Sequence, residues 1–437
     1  ARRQRQMCIR DRTMRCTVSS SGRRFSFMNS FQKGILTLVR YALSPEESFP
    51  SLPDDFPYAN ALMFAGSQQI IPLLYYGACK TENFPTSPIF PAFTARAGGV
   101  IAHSTRQIEN FDSLTASLEA AGIDYMPVKG AILKRLYPQP EMRVMGDCDI
   151  LIRQKQAKAA RALMKRLDYH LEETTNHVFE YKSAEGMVVE LHVKLLPDGE
   201  IDLEPYYGDG WWTARPSGVH PCRYEMRPED HYVFLFAHFV KHFRGVGAGI
   251  KFVIDFHVFR QAHPDMDMDY IRGELAKLGL DEFHENILRT VAVWFDDAQP
   301  DEMTDYLTDR LFNNTVFGDR QRALVSEAYR RTKAEEAGGK RASDSTRRRR
   351  KWFELFFLPY SAMKEKYPVL VRWAILLPLF WIVRGVDILF FHRNRIDDVN
   401  DSMEQISQES VDAFREEINY VGLDKKMQPI SPQKHEK

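Results

Sequence analysis

Two carboxylates, two positions apart at the head of an apolar run, are the residues of this chain best placed to do chemistry. They are Asp147 and Asp149 in Arg143-Val-Met-Gly-Asp-Cys-Asp-Ile-Leu-Ile152. A strand turns alternate side chains to opposite faces, so the two aspartates share one face while Cys148, Ile150 and Ile152 take the other. Like charges held so close repel and raise each other's pKa. A fold that keeps such a pair does so with a cation between them, and carboxylates with Mg²⁺ are the ordinary arrangement where a substrate carries phosphates. Alone, Asp-x-Asp is more often an acidic turn before a strand, with Asp147 as a solvated cap. The neighbouring segments weigh against that plainer alternative.

Upstream, Tyr125-Met-Pro-Val-Lys-Gly130 is a short apolar strand that stops at a glycine. Ala131 to Tyr137 follows as one or two helical turns, ended by Pro138 and Pro140. Strand, glycine and helix start together aim backbone N–H groups at one point, which suits a phosphate. Downstream, Met187-Val-Val-Glu-Leu-His-Val-Lys194 alternates again. Val188, Glu190 and His192 share a face, so Glu190 is a third carboxylate. His192 either reaches the same site or packs in the core.

Four segments taken together carry a resemblance: Val-Lys-Gly-Ala from Val128, Leu-Tyr-Pro from Leu136, the Arg143–Ile152 run, and Val-Glu-Leu-His from Val189. They resemble the uncharacterised nucleotidyltransferase family of the polymerase-beta-like superfamily, over roughly Tyr125 to Leu195. The resemblance implies that Asp147, Asp149 and Glu190 are catalytic and hold two Mg²⁺ ions. It implies transfer of an NMP group from an NTP to an acceptor hydroxyl, with release of pyrophosphate. The acceptor is a protein, a small molecule or an RNA. Gly130 would let the backbone approach the phosphates, with Lys129 and Arg143 as candidate phosphate-neutralising cations. Lys129 is otherwise an exposed strand end, and Arg143 an ion-pair partner that orients Asp147. One departure from the family pattern is Ala131, where a Gly or Ser usually follows the glycine. That departure keeps open a catalytically silent regulator that binds a nucleotide or a partner.

Composition bounds the rest. A chain of 437 residues accommodates two or three domains. Lysine plus arginine equals aspartate plus glutamate, 59 against 59, so no global field draws the molecule to nucleic acid or membrane. Cys8, Cys16, Cys79, Cys148 and Cys222 are scattered without paired spacing, which fits a reducing, cytoplasmic setting with no disulfide partner. The basic first dozen residues lack a following apolar run and do not form a secretory signal; residues 1–28 carry no interpretation.

The elements that must position these groups follow from periodicity. Residues 29–95 are expected as a helical preface and linker, with helical spacing at Phe31, Ile35, Leu36, Leu38 and Val39, a run Ala61–Tyr76 kinked at Pro72, and a Pro-rich linker over 81–95. Residues 96–205 are expected as a small mixed-sheet α/β (α+β) nucleotidyltransferase core: a helix to Ala121, the Tyr125 strand, the Asp147 strand, an amphipathic helix over 154–167, then strands Tyr169–Thr174 and His177–Lys182 turning at Ala184–Gly186 into the Glu190 strand. Residues 206–332 are expected as helical. There His238 and His242 lie one turn apart on a helix and Asp255 follows. This set is either a second metal or cleft-wall cluster, the basis of a metal hydrolase, or histidines packed between helices with Asp255 fixing a tautomer. Residues 333–351 form a basic linker ending in Arg347–Lys351, 352–423 an apolar helical region, and 424–437 a disordered tail. Trp373–Val383 is too short to span a bilayer; with its basic neighbours it makes 347–391 a candidate contact with a membrane surface, which would place the protein at the membrane periphery.

Overall fold

The computed structural model describes residues 28–44, 52–175, 177–196, 203–314, 320–337, 357–358, 360, 363, 367, 369–391, 408–425 and 427–428. The architecture is mixed α/β, with a five-stranded sheet set among helices. Helices α1 (Ser30–Leu43), α2 (Tyr58–Gln68), α3 (Ile71–Ala78) and α4 (Phe90–Ala120) lead into the sheet. Where the sequence suggests one helix kinked at Pro72, there are two. The break falls at Gln69, in the left-handed region at φ 56°, and Pro72 sits in the first turn of α3, where its missing N–H costs nothing. Pro91 plays the same part at the start of α4, so that helix begins inside the stretch expected as linker and runs for 31 residues.

Strand β1 (Tyr125–Pro127) is followed by the single turn α5 (Gly130–Leu133), β2 (Asp147–Ile152), α6 (Ala157–Arg166), β3 (His170–Thr174), β4 (Val178–Lys182) and β5 (Val188–His192). The sheet order is β1-β2-β5-β4-β3. β2 and β5 are parallel neighbours, in register Asp147↔Val188, Asp149↔Glu190 and Leu151↔His192. The other pairs are antiparallel, and the register carries on as Glu190↔Glu180 and Glu180↔Glu173. After α7 (Glu204–Tyr207) and the ribbon β6 (Ala214–Pro216) with β7 (Tyr224–Met226) come α8 (Pro228–Arg244), α9 (Ile250–Ala262), α10 (Met268–Lys277), α11 (Asp281–Phe295), α12 (Glu302–Asn313) and α13 (Arg320–Ala337). The short α14 (Val369–Arg372), α15 (Leu377–Phe391) and α16 (Gln408–Tyr420) follow.

Two apolar cores result. The smaller lies under one face of the sheet, where Cys148, Ile150, Ile152, Val189 and Leu191 meet Phe111, Leu114 and Leu118 of α4 and Ala160, Leu163 and Met164 of α6. The larger joins α1–α3 to α8–α12 and takes in Val411, Phe414 and Ile418 of α16. Leu151, on the opposite face of β2, belongs to this larger core. The aspartate face of the sheet therefore looks across at the helical region.

Arg347–Lys351 lies outside the described residues, as does most of the basic linker. The start of the tail is docked: Lys425 pairs with Asp281, and the Gln428 N–H donates to the Lys277 carbonyl. Among the described residues no helix is long and apolar enough to cross a membrane. Cys79, Cys148 and Cys222 are free thiols.

Candidate functional site

The strand alternation of β2 and β5 brings the expected groups together. Asp149 and Glu190 are cross-strand partners, and His192 follows Glu190 on the same face. The His192 Nε2 stands 2.9 Å from Asp149 Oδ1 and 3.0 Å from Glu190 Oε2. Both oxygens can only accept, so Nε2 carries the proton. Ligand-type atoms of Asp149, Glu190 and His192 all lie within 4.8 Å of one another. Asp147 is outside that tightest set, one alternation earlier on β2, and lines the cleft beside Asp149. His192 is thus a member of the polar group and not of the core.

Lys129 completes the wall. It sits between β1 and α5 with φ at 51°, a conformation side-chain-bearing residues seldom adopt. From there its Nζ donates to Asp149 Oδ1 at 2.5 Å. The exposed strand end considered from sequence is a buried ion pair. Next to it, Gly130 is required by packing as much as by any ligand, because a Cβ there would come within 2.8 Å of Met145 Sδ and 3.3 Å of Arg143 Nη1.

Burial, with repulsion from Asp149 and Glu190, pushes Asp147 up to about 6. Burial acts in the same direction on Asp149, yet the Lys129 ammonium and His192 hold it well below the usual carboxylate range. Burial works against the charge on Lys129, but Asp149 overrides it and the ammonium is held above its ordinary pKa. For His192, burial and Lys129 act to lower the pKa, and hydrogen bonds to Asp149 and Glu190 win, so it rises. Asp149 is thus answered by Lys129 and His192, while burial and its acidic neighbours oppose the charge on Asp147.

The helical side of the cleft is arranged differently. Arg143 does not orient Asp147. Its guanidinium forms a two-pronged pair with Asp255, Nε to Oδ1 at 3.1 Å and Nη2 to Oδ2 at 2.9 Å. The Tyr137 hydroxyl adds a third bond to Asp255 Oδ1 at 2.7 Å. Asp255 is thereby committed, and it neither fixes a histidine tautomer nor joins a metal cluster. His238 and His242 bond to each other, Nε2 to Nε2 at 3.1 Å. Burial, then Lys129, keeps His238 well below its ordinary pKa, and burial, then Lys241, lowers His242 to about 4. Among the described residues, His238, His242 and Asp255 do not form a group of ligand atoms that could hold a metal ion, so the metal-cluster expectation for this set finds no support in the geometry. All three do line the cleft with Asp147, Asp149, Lys129, Gly130 and Arg143.

That same cleft contains a group not anticipated from sequence. Lys251, in the first turn of α9, is 6 % exposed, and its Nζ donates to Gln69 Oε1 at 2.8 Å. Burial, then the nearby Arg143, lowers it to about 7. The only signal in the sequence is a lysine inside the otherwise apolar Gly249-Ile-Lys-Phe-Val-Ile254. A second cleft adjoins the first through Lys129 and His238 and is lined by Glu173, Glu180, Glu190, His177 and His192.

Comparison with known proteins adds three findings. A family model described as uncharacterised nucleotidyltransferase matches residues 56–296. No curated protein matches the chain. A solution structure of the antibiotic-resistance factor ANT(2'')-Ia is similar at 11% identity and a TM-score of 0.31, covering 40% of this chain and 92% of that one.

Proposed function

The chain belongs to the uncharacterised nucleotidyltransferase family, and on that premise we propose that it moves an NMP group from an NTP to an acceptor hydroxyl. The Pα–O bond to the β-phosphate breaks, a Pα–O bond to the acceptor forms, and pyrophosphate leaves with the electron pair. The acceptor's proton passes to solvent or to a carboxylate of the site. The observation that carries this reading is the register Asp149↔Glu190 across parallel strands, with Asp147 two residues before on the same face.

The donor set fits divalent metal. Carboxylate oxygens on two strands suit a hard cation such as Mg²⁺, and Asp147, pushed up to about 6 by burial and its neighbours, has a charge to offer. Asp147, Asp149 and Glu190 would hold two such ions. When bound, they would supply electrostatic stabilisation of the attacking and leaving oxygens of an in-line displacement. The chain's own residues do the remainder. Lys129 brings a permanent positive charge to the edge of the carboxylates. Gly130, without a Cβ, lets the turn after β1 lie close against Met145 at the edge of the cleft. His192 spans Asp149 and Glu190 and fixes their spacing. The acceptor approaches through the second cleft, which is lined by Glu190 and His192 and meets the first at Lys129 and His238.

The test is to incubate the protein with each labelled NTP, Mg²⁺ and candidate acceptors, and to follow pyrophosphate and the labelled product. Pyrophosphate release that depends on Mg²⁺ and disappears in D147N/D149N supports the reading. Release that survives in that variant overturns it.

A further inference from the structure

Three cations line the main cleft beside the aspartates, and they are not equivalent. Lys129 is spent on Asp149 and Arg143 on Asp255. Lys251 is not paired with any carboxylate among the described residues. Among the described residues its hydrogen-bond partner is the neutral amide of Gln69.

Burying an ammonium without an anion is costly, and the protein has nonetheless built a support for this one. Gln68 and Gln69, at the end of α2, both grip the start of α9. The Gln68 Oε1 accepts from the Ile250 N–H at 3.0 Å, and Gln69 takes the Lys251 ammonium. Gln69 does so from its left-handed conformation. α9 is 13 residues long, Gly249 at its N-cap offers no side chain, and Gln68 takes only the first of its free N–H groups, so the positive end of the helix dipole remains near Lys251. The charged groups facing Lys251 are Arg143, Asp255 and Asp147. Arg143 and Asp255 already answer each other, and Asp147 stands with the carboxylates across the cleft.

We infer that Lys251 is the polyphosphate-binding cation of the cleft: held by Gln69, it takes the β- and γ-phosphates of the nucleotide and keeps them as the pyrophosphate leaves. The inference rests on the nucleotidyl-transfer reading and deepens it by assigning the residue that receives the leaving group. It also makes the helices ahead of the sheet part of the substrate site, because Gln69 comes from α2. A buried lysine at about 7 accords with a group that becomes fully charged when an anion arrives.

The experiment uses the full chain, Mg²⁺-pyrophosphate and Mg²⁺-NTP as ligands, and calorimetry or a fluorescent nucleotide as readout. K251M is expected to weaken both ligands by about 10–100-fold, the worth of a charge-assisted contact. K251R is expected to restore most of that loss, and Q69A to lose about 3–10-fold by releasing the side chain. K251M should melt no lower than the parent, because it removes a buried charge, so a loss of binding is not a loss of fold. Unchanged pyrophosphate affinity in K251M, with the parent binding well, overturns the assignment of Lys251 alone. A parent protein that binds neither pyrophosphate nor any NTP overturns the nucleotidyl-transfer reading, and this inference with it.

Discussion

The cleft has two polar walls, and they differ in how their charges are answered. On the helical wall, Arg143, Asp255 and Tyr137 satisfy one another, and His238 and His242 form a closed pair. On the sheet wall, Lys129 and His192 answer Asp149, while Asp147 keeps a charge that its surroundings oppose. Both walls contain residues that a metal could use. Residue type therefore does not identify the working site. What distinguishes it is the capacity left over after the protein has made its own pairs. By that measure Asp147 marks the sheet wall as the candidate ligand site, and the helical wall reads as scaffold except at Lys251.

The largest expected effect breaks this comparison directly. D147N/D149N should lower Mg²⁺-dependent pyrophosphate release by roughly 10³-fold or more. H238Q/H242Q should stay within about threefold, measured in the same assay. Equal losses in both would erase the distinction between the walls.

Next comes stability. D255A leaves the Arg143 guanidinium buried and unanswered, and should cost about 3–5 kcal/mol in urea unfolding. Replacing both partners at once, as in R143M/D255L, should recover much of it. A small cost for D255A would mean that this wall is not the scaffold described.

Acid should act on the helical wall before it reaches Asp149. His242 is lowered to about 4, against an ordinary value near 6.5. Its neutral form stabilises the fold fully above 6.5, and that contribution is lost as pH falls towards 4. The loss is at most about 3 kcal/mol. Unfolding free energies between pH 7 and 4 should decline less steeply in H242N than in the parent.

The smallest effect has the opposite sign. Asp147, raised to about 6, favours the folded state below its unfolded pKa near 3.9 and loses that contribution as pH rises through 6. Without added metal, D147N should therefore be more stable than the parent at pH 8, by about 2–3 kcal/mol, and nearly equal to it at pH 4. Adding Mg²⁺ should raise the melting temperature of the parent and leave D147N nearly unmoved.

Much of the sheet wall was legible from sequence because it depends on local periodicity. Alternation alone placed Asp147 with Asp149 and Glu190 with His192, and the expected strand neighbours are neighbours. The helical wall was legible only in its parts. Arg143 and Asp255 are 112 positions apart, and nothing local says that they pair. Lys251 and Gln69 are separated by 182. In a segment as apolar as Ile250–Ile254, the lysine reads as an accident of composition. The boundary errors have a similar cause: Pro72 and Pro91 look like breaks in a linear reading, but proline is tolerated in a first turn.

The two-faced pattern of β2 and β5 has one more consequence. Cys148, Ile150, Val189 and Leu191 never see substrate, yet their anchorage beneath the sheet dictates which way their neighbours point. A single-residue insertion in either strand would swing the acids into oil and the oil into water. The geometry of the acids is thus guarded by side chains with no chemistry of their own, and a change of volume among them would be felt at Asp147, Asp149 and Glu190.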